Sequence, residues 1–318
     1  MSNVYEADKY RKRGELSLAE HYYKMAVYDN SSTSYAWNKL LEVTFLQGKK
    51  NKVYMLIDEI KARFPDTYYP YHIEFLMMLG DEDENIYEFL NECGIQFEDN
   101  ISYQYDRFVY MSGTGNNLEA IETARKYLLE NKRMLTKVAE ELSDSYIAIN
   151  DYGSAKELLE RALNISGNDI FLVKLTVLNM LSGDRDAAIK CCNRLMNGSD
   201  SISKIIARFI NSIIESNELK KKSMMSDVIL ECKRSDVDYP VRVLINFISV
   251  ICYHVCGDSK KALEQLDFID AITDGKIIEC AKLRKIINDK EENNGNDMKS
   301  VELFVFGEYL QRFMDYVR

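Results

Sequence analysis

Residues 142–162, LSDSYIAINDYGSAKELLERA, carry apolar helical faces on both sides of a single asparagine. Before Asn150, Leu142 and Tyr146 stand one helical turn apart, and after it Ala155, Leu159 and Ala162 recur at spacings of four and three. Asn and Gly are the residues that best tolerate the left-handed backbone just past a helix end, so Asn150 reads as the turn between two antiparallel helices. Asp151 follows it, and an acidic group suits the start of the next helix, where the dipole favours negative charge.

The arrangement repeats along the chain. Gly14, Gly48, Gly80, Gly115, Asn150, Gly183, Asn217 and Gly257 recur at spacings of 32 to 35 residues, with 40 before the last. Each is followed by a polar residue: Glu15, Lys49, Asp81, Asn116, Asp151, Asp184, Glu218 and Asp258. Five positions after each turn residue come Ala19, Val53, Asn85, Ala120, Ala155, Ala188, Lys222 and Ala262, mostly small enough to let the second helix approach the first closely. Four further on, Tyr23, Ile57, Phe89, Ala124, Leu159, Cys192, Ser226 and Leu266 mostly supply bulk on the same face. Each unit is then a helical hairpin that buries its apolar faces only by stacking on its neighbours. Asn85 and Lys222 break the pattern in the third and seventh units, and the longer seventh is expected to carry an extra connection at Ser235 to Pro240.

Composition agrees with this reading. Only 3 Pro and 14 Gly occur in 318 residues, with 46% hydrophobic and 29% charged, which excludes loop-rich and disordered classes. The net charge of −10 opposes binding to a polyanion, so neither nucleic acid nor a membrane surface is the expected partner. The basic runs at Lys9 to Arg13, at Lys49, Lys50 and Lys52, and at Lys220 to Lys222 read as solvated helix faces. The acidic stretch from Asp81 to Asp99 reads as either a solvated face or a docking surface for a basic partner. Val241 to Cys256, the most apolar stretch, is interrupted by Arg242, Asn246 and His254 and is too short for a membrane span. The charged amino terminus lacks the apolar core of a secretory signal, and seven scattered cysteines make no disulfide framework, so a cytoplasmic location is expected.

The phased pattern resembles the tetratricopeptide repeat family over roughly residues 3 to 270. Trp37, Leu40, Gly48 and Pro65 stand at the family's spacing in the second unit, with Leu41 in place of its small residue and Thr44 in place of its Tyr. Ala7, Tyr10, Ala19, Tyr23 and Ala26 carry it in the first unit, and Leu142, Ser143, Tyr146, Ala155, Leu159 and Ala162 in the fifth. The resemblance implies an all-α, right-handed superhelical solenoid of antiparallel hairpins, whose concave face binds a peptide or protein segment. Carried onto this chain, the family's groove positions are Val4 and Asp8, Asn38 and Glu42, Tyr105 and Val109, Glu140 and Asp144, Val173 and Val177, and Phe247 and Ile251. That lining is acidic near Glu42, Glu140 and Asp144 and apolar toward the last four, which suggests a partner with basic and hydrophobic parts. Val4 and Asp8 stand where the chaperone-binding subtype has a Lys/Asn clamp, which argues against that subtype. Two other readings remain: a peptide-sensing regulator, and the accessory helical-repeat part of a larger enzyme such as a glycosyltransferase.

No catalytic constellation is evident. His21, His72 and His254 are far apart in sequence and belong to no catalytic signature. Cys252 and Cys256 lie one helical turn apart but lack a second ligand pair, so no metal or other cofactor is expected and the chain reads as a non-enzyme. Gly113 and Gly115 follow no strand and precede no Lys-Ser/Thr pair, so they read as a hairpin turn and not as a phosphate loop. The repeat array is expected to occupy residues 1–288, with a last helix near Gly275 to Asp289. A polar linker follows at 289–299, then an apolar amphipathic helix at 300–318 that caps the array, pairs two copies of the chain, or reaches back into the groove.

Overall fold

A computed structural model describes residues 3–28, 33–273, 275 and 277–292. Among these the chain is all-α, with seventeen α-helices and no strand. In chain order they are α1 (Asn3–Lys12), α2 (Leu16–Val27), α3 (Ser34–Leu46), α4 (Lys50–Arg63), α5 (Tyr69–Gly80), α6 (Ile86–Phe97), α7 (Ile101–Gly113) and α8 (Asn117–Thr123), followed by a π-helical turn, Ala124–Leu128. Then come α9 (Lys132–Ala148), α10 (Tyr152–Ser166), α11 (Asp169–Leu181), α12 (Arg185–Met196), α13 (Ser201–Ile214), α14 (Glu218–Arg234), α15 (Tyr239–Cys256), α16 (Ser259–Thr273) and α17 (Ile278–Glu292). The chain forms two compact units that divide at Met134 and Leu135. In the first, α1 to α8 stack in sequence, with α3 also on α5 and α5 on α7. In the second, α10 to α17 stack in sequence, with α11 also on α13.

The turns explain the periodicity. Gly14, Gly48, Gly115, Asn150, Gly183 and Gly257 all have φ between 62° and 90°, a region in which a side chain meets the backbone and which Gly enters freely. The residue after each donates its N–H to the carbonyl five positions back: Glu15 to Tyr10, Lys49 to Thr44, Asn116 to Met111, Asp151 to Tyr146, Asp184 to Asn179 and Asp258 to Tyr253, at 2.8–3.3 Å. That bond closes the Schellman motif, satisfying a carbonyl that the helix end would otherwise leave without a partner. Ala19, Val53, Ala120, Ala155, Ala188 and Ala262 are fully buried at the hairpin contacts, as are Tyr23, Ile57, Leu159, Cys192 and Leu266 one turn along.

The third and seventh hairpins keep the architecture with a shifted phase. Gly80 is the last residue of α5, and the left-handed residue is Glu82, at φ 53°. Asp83 closes that turn onto Met78 at 3.0 Å. Slipping the turn brings Ile86 and Leu90 inward and leaves Asn85 as the residue before α6, so no amide is buried at the helix contact. In the seventh hairpin Asn217 is an N-cap, not a left-handed turn: its φ is −82° and its side chain accepts from Lys220 N–H at 3.0 Å. Lys221 and Met225, not Lys222 and Ser226, face the core, and the Lys221 ammonium stays 3.6 Å from Glu218 while its methylene stem is buried. The expected long connection shrinks to residues 235–238, because the additional residues lengthen α14 to 17 and α15 to 18 residues.

Two other local features differ from a plain repeat. Ala124 occupies the position where most hairpins have a bulky residue, and there the helix widens into the π turn, which brings Leu128 into the core. The last helix among the described residues, α17, runs to Glu292, so the first residues of the expected linker are helical. The remainder of that linker and the apolar helix expected at 300–318 lie outside the described residues.

Candidate protein-binding surface

The residues projected onto the groove fall into three environments. Glu42, on α3, accepts from Arg11 of α1 at 3.0 Å and is also bonded by Lys39. Asp8 accepts from Tyr23 and Tyr35, the latter at 3.1 Å. Burial, then the neighbouring Asp8 carboxylate, holds the Tyr23 hydroxyl well above the usual phenol range. The structure therefore brings Asp8 and Glu42 together as a charge-compensated cluster around Arg11. Asn38 is half-buried beside them, with its Oδ1 buried and without a hydrogen-bond partner. Tyr105 and Val109, on α7, are also half-buried, and Val4 packs on the core of the first unit.

Asp144, projected to meet a basic partner, instead accepts at both oxygens from Lys174 of α11, at 2.7 and 2.8 Å. That ammonium also reaches the Glu140 carbonyl at 3.4 Å and is itself almost fully buried. A charge of the protein's own thus occupies Asp144. Glu140 is half-buried on the same helix.

Val173, Val177, Phe247 and Ile251 are in the core, at 2%, 4%, 2% and 0% exposure, and do not form the open apolar lining expected of them. The reason is that α11 and α15 are enclosed on most sides: every residue from Phe171 to Asn179 is buried, as is every residue from Val243 to Val255. A helix that is apolar around most of its circumference is packed on all of those faces, and four-residue spacing alone cannot select an open one.

The open surface lies instead at the helix starts. Within the second unit, the N-terminal ends of α11, α13 and α15 enclose a cleft of about 590 Å³. Its apolar lining includes Ile170, Val173, Ile202, Ile206, Val241 and Leu244, so Val173 is the one projected residue that reaches it. Asp169 and Asp200 stand at its rim, and neither makes an ion pair among the described residues. One Asp200 oxygen caps α13 by accepting from Ser203 N–H at 2.6 Å. Gly198 lets the α12–α13 connection pass close to α11, since a Cβ there would lie 3.0 Å from Asp169 Oδ2 and 3.2 Å from the Leu195 carbonyl. The available sequence signal was the row of polar caps Asn168, Asp200 and Asp238, each followed within a few residues by aliphatic side chains.

The chemical candidates have structural surroundings. His72 Nδ1 lies 2.8 Å from the buried Asp106, which also accepts from Tyr68 at 2.8 Å. His21 packs edge-on against Tyr22, and His254 is buried. Cys252 is fully buried while Cys256 Sγ lies 3.7 Å from the Lys222 carbonyl, and no two cysteines are bonded. Among the described residues no group of three or more His, Cys, Asp and Glu is placed to hold a metal ion, and no helix is long and apolar enough to cross a membrane. The basic runs are largely paired: Lys49 and Lys52 with Glu20, Lys50 with Asp81, and Lys220 with Glu215. Within the acidic stretch, Asp81 is taken by Lys50 and Glu98 by Tyr127 at 2.9 Å.

The chain is similar in structure to a tetratricopeptide repeat protein from Parabacteroides merdae, at 14% identity and a TM-score of 0.49, covering 90% of this chain and 97% of that one. It is also similar to the TPR domain of P58(IPK), at 14% identity and a TM-score of 0.30, covering 99% and 98%. No protein-family model and no curated protein matches the chain.

Proposed function

We propose that the protein is a non-catalytic interaction scaffold, and that the cleft at the starts of α11, α13 and α15 receives a segment of a protein partner. One observation carries this reading: an open cleft of about 590 Å³ with an aliphatic lining, bordered by two carboxylates that have no ion-pair partner among the described residues. Its volume suits one large side chain and its neighbours, and the rim selects the flanking charge. The partner segment is one with an aliphatic or aromatic anchor next to Lys or Arg. Asp144 and Glu42, each paired with a cation of the chain itself, lie outside this reading.

The test is selection of binding segments from a random peptide library by the intact chain, repeated with Ile202→Asp and Asp169→Lys. Recovered segments should share an apolar residue flanked by basic ones, and each substitution should weaken their binding at least tenfold while the chain keeps its helical spectrum and a cooperative thermal transition. Recovery of segments without such an anchor, or binding indifferent to both substitutions, would overturn the assignment of this cleft.

A further inference from the structure

A second, smaller cleft of about 290 Å³ lies between α10, α11 and α12 and is of a different chemical kind. Its polar lining includes Lys156, Glu160, Asn164, Asn179, Lys190 and Arg194, with Cys191 beside them. Lys190 and Arg194, one turn apart on α12, have no carboxylate partner among the described residues, and Lys156 has only a long contact, 3.9 Å, with Asp184. Three cations against the single carboxylate of Glu160 leave the lining with a charge of about +2, which a dianion neutralises. At the floor, Asn179 is 2% exposed, with its Nδ2 held 3.8 Å from Cys191 Sγ and its Oδ1 buried without a partner. An amide oxygen left without a donor in the interior is costly, and a ligand hydroxyl would satisfy it.

We infer that this cleft binds a small phosphate monoester with a hydroxyl-bearing body, its phosphate held by Lys156, Lys190 and Arg194 and its hydroxyl donated to Asn179 Oδ1. A phosphate monoester carries a charge of about −1.5 to −2 near neutral pH and takes several hydrogen bonds from ammonium and guanidinium groups. The volume lies at the lower edge of the range for small-molecule sites, which selects a metabolite and not a folded partner or a long peptide. Burial pushes the Cys191 thiol up, against the opposing influence of Arg194, Thr176 and Lys156. The inference is independent of the peptide cleft, which lies at the helix starts and shares no lining residue with this one.

The probes are glycerol 3-phosphate, inorganic phosphate, glycerol and a phosphoserine peptide, titrated calorimetrically into the intact chain at constant ionic strength. Glycerol 3-phosphate should bind saturably with a Kd below about 1 mM, inorganic phosphate more weakly, and glycerol not at all. The exposed double substitution Lys190→Glu with Arg194→Glu should weaken binding at least tenfold, and Asn179→Leu should remove the advantage of glycerol 3-phosphate over inorganic phosphate. Because Asn179→Leu risks the fold, the decisive variant is the double one, checked for an unchanged melting temperature. The site is overturned if no probe saturates by 10 mM or if the double variant binds as the parent does. The ligand class is overturned if inorganic phosphate binds as tightly as its glycerol ester, or if a phosphoserine peptide binds more tightly than either.

Discussion

Buried charge decides much of the chemistry here, and Glu20 is the plainest case. Its side chain is almost fully enclosed, and burial alone would raise its carboxyl, yet hydrogen bonds from Lys24, Lys49 and Gln47 outweigh that and hold it down at about 2. An acid depressed in this way stabilises the fold fully above the ordinary carboxylate range, and the contribution is lost as pH falls from about 5 toward 2. Glu20→Gln should therefore cost about 2 kcal/mol in urea unfolding at pH 7, after allowance for the exposure of its lysine partners, and the gap from the parent should close near pH 2. Asp144 and Lys174 make a complementary case. Asp144→Ala strands a buried ammonium and should destabilise by about 2 kcal/mol, while adding Lys174→Met should restore most of it. If Asp144 instead served only a ligand, Asp144→Ala would leave the urea midpoint unchanged.

At the turns, the same residue type has opposite value in different conformations. Glu82 and Asn150 occupy left-handed backbone, so Glu82→Gly should stabilise the chain by about 0.5–1 kcal/mol. Asn217 is an N-cap in extended backbone, and Asn217→Ala should cost about 1 kcal/mol through loss of its bond to Lys220. Thermal melts of the two variants should shift in opposite directions. These positions also show where sequence is informative and where it fails. Wherever Gly or Asn at the turn coincided with Ala five residues later, the hairpin was readable to the residue, because a tight turn and a close helix contact each admit few side chains. At Gly80 and Asn217 the turn residue was present but the contact position held Asn85 or Lys222, and burial of Ile86 and Lys221 shifted the phase. The apolar groove positions failed for another reason. On α11 and α15 nearly all faces are apolar, so their periodicity carries no direction, and the open cleft formed at helix ends, where side chains from three separate segments meet.

Each unit is built by stacking neighbours in sequence, which sets how damage spreads through the chain. Energies in such arrays are sums over single hairpins and their adjacent interfaces. Leu40→Ala, in the core of the first unit, should cost about 3 kcal/mol and speed amide exchange strongly in α1 to α5, while exchange in α13 to α16 stays within twofold of the parent. Uniform acceleration along the chain would show that it unfolds as one body. The Schellman turns add a consequence for biosynthesis. Their closing bonds span only five positions, and the stacking partners within each unit are chain neighbours or nearly so, so little of the architecture waits on distant sequence. A hairpin leaving the ribosome finds its docking surface already made, and the growing chain can consolidate one helix pair at a time.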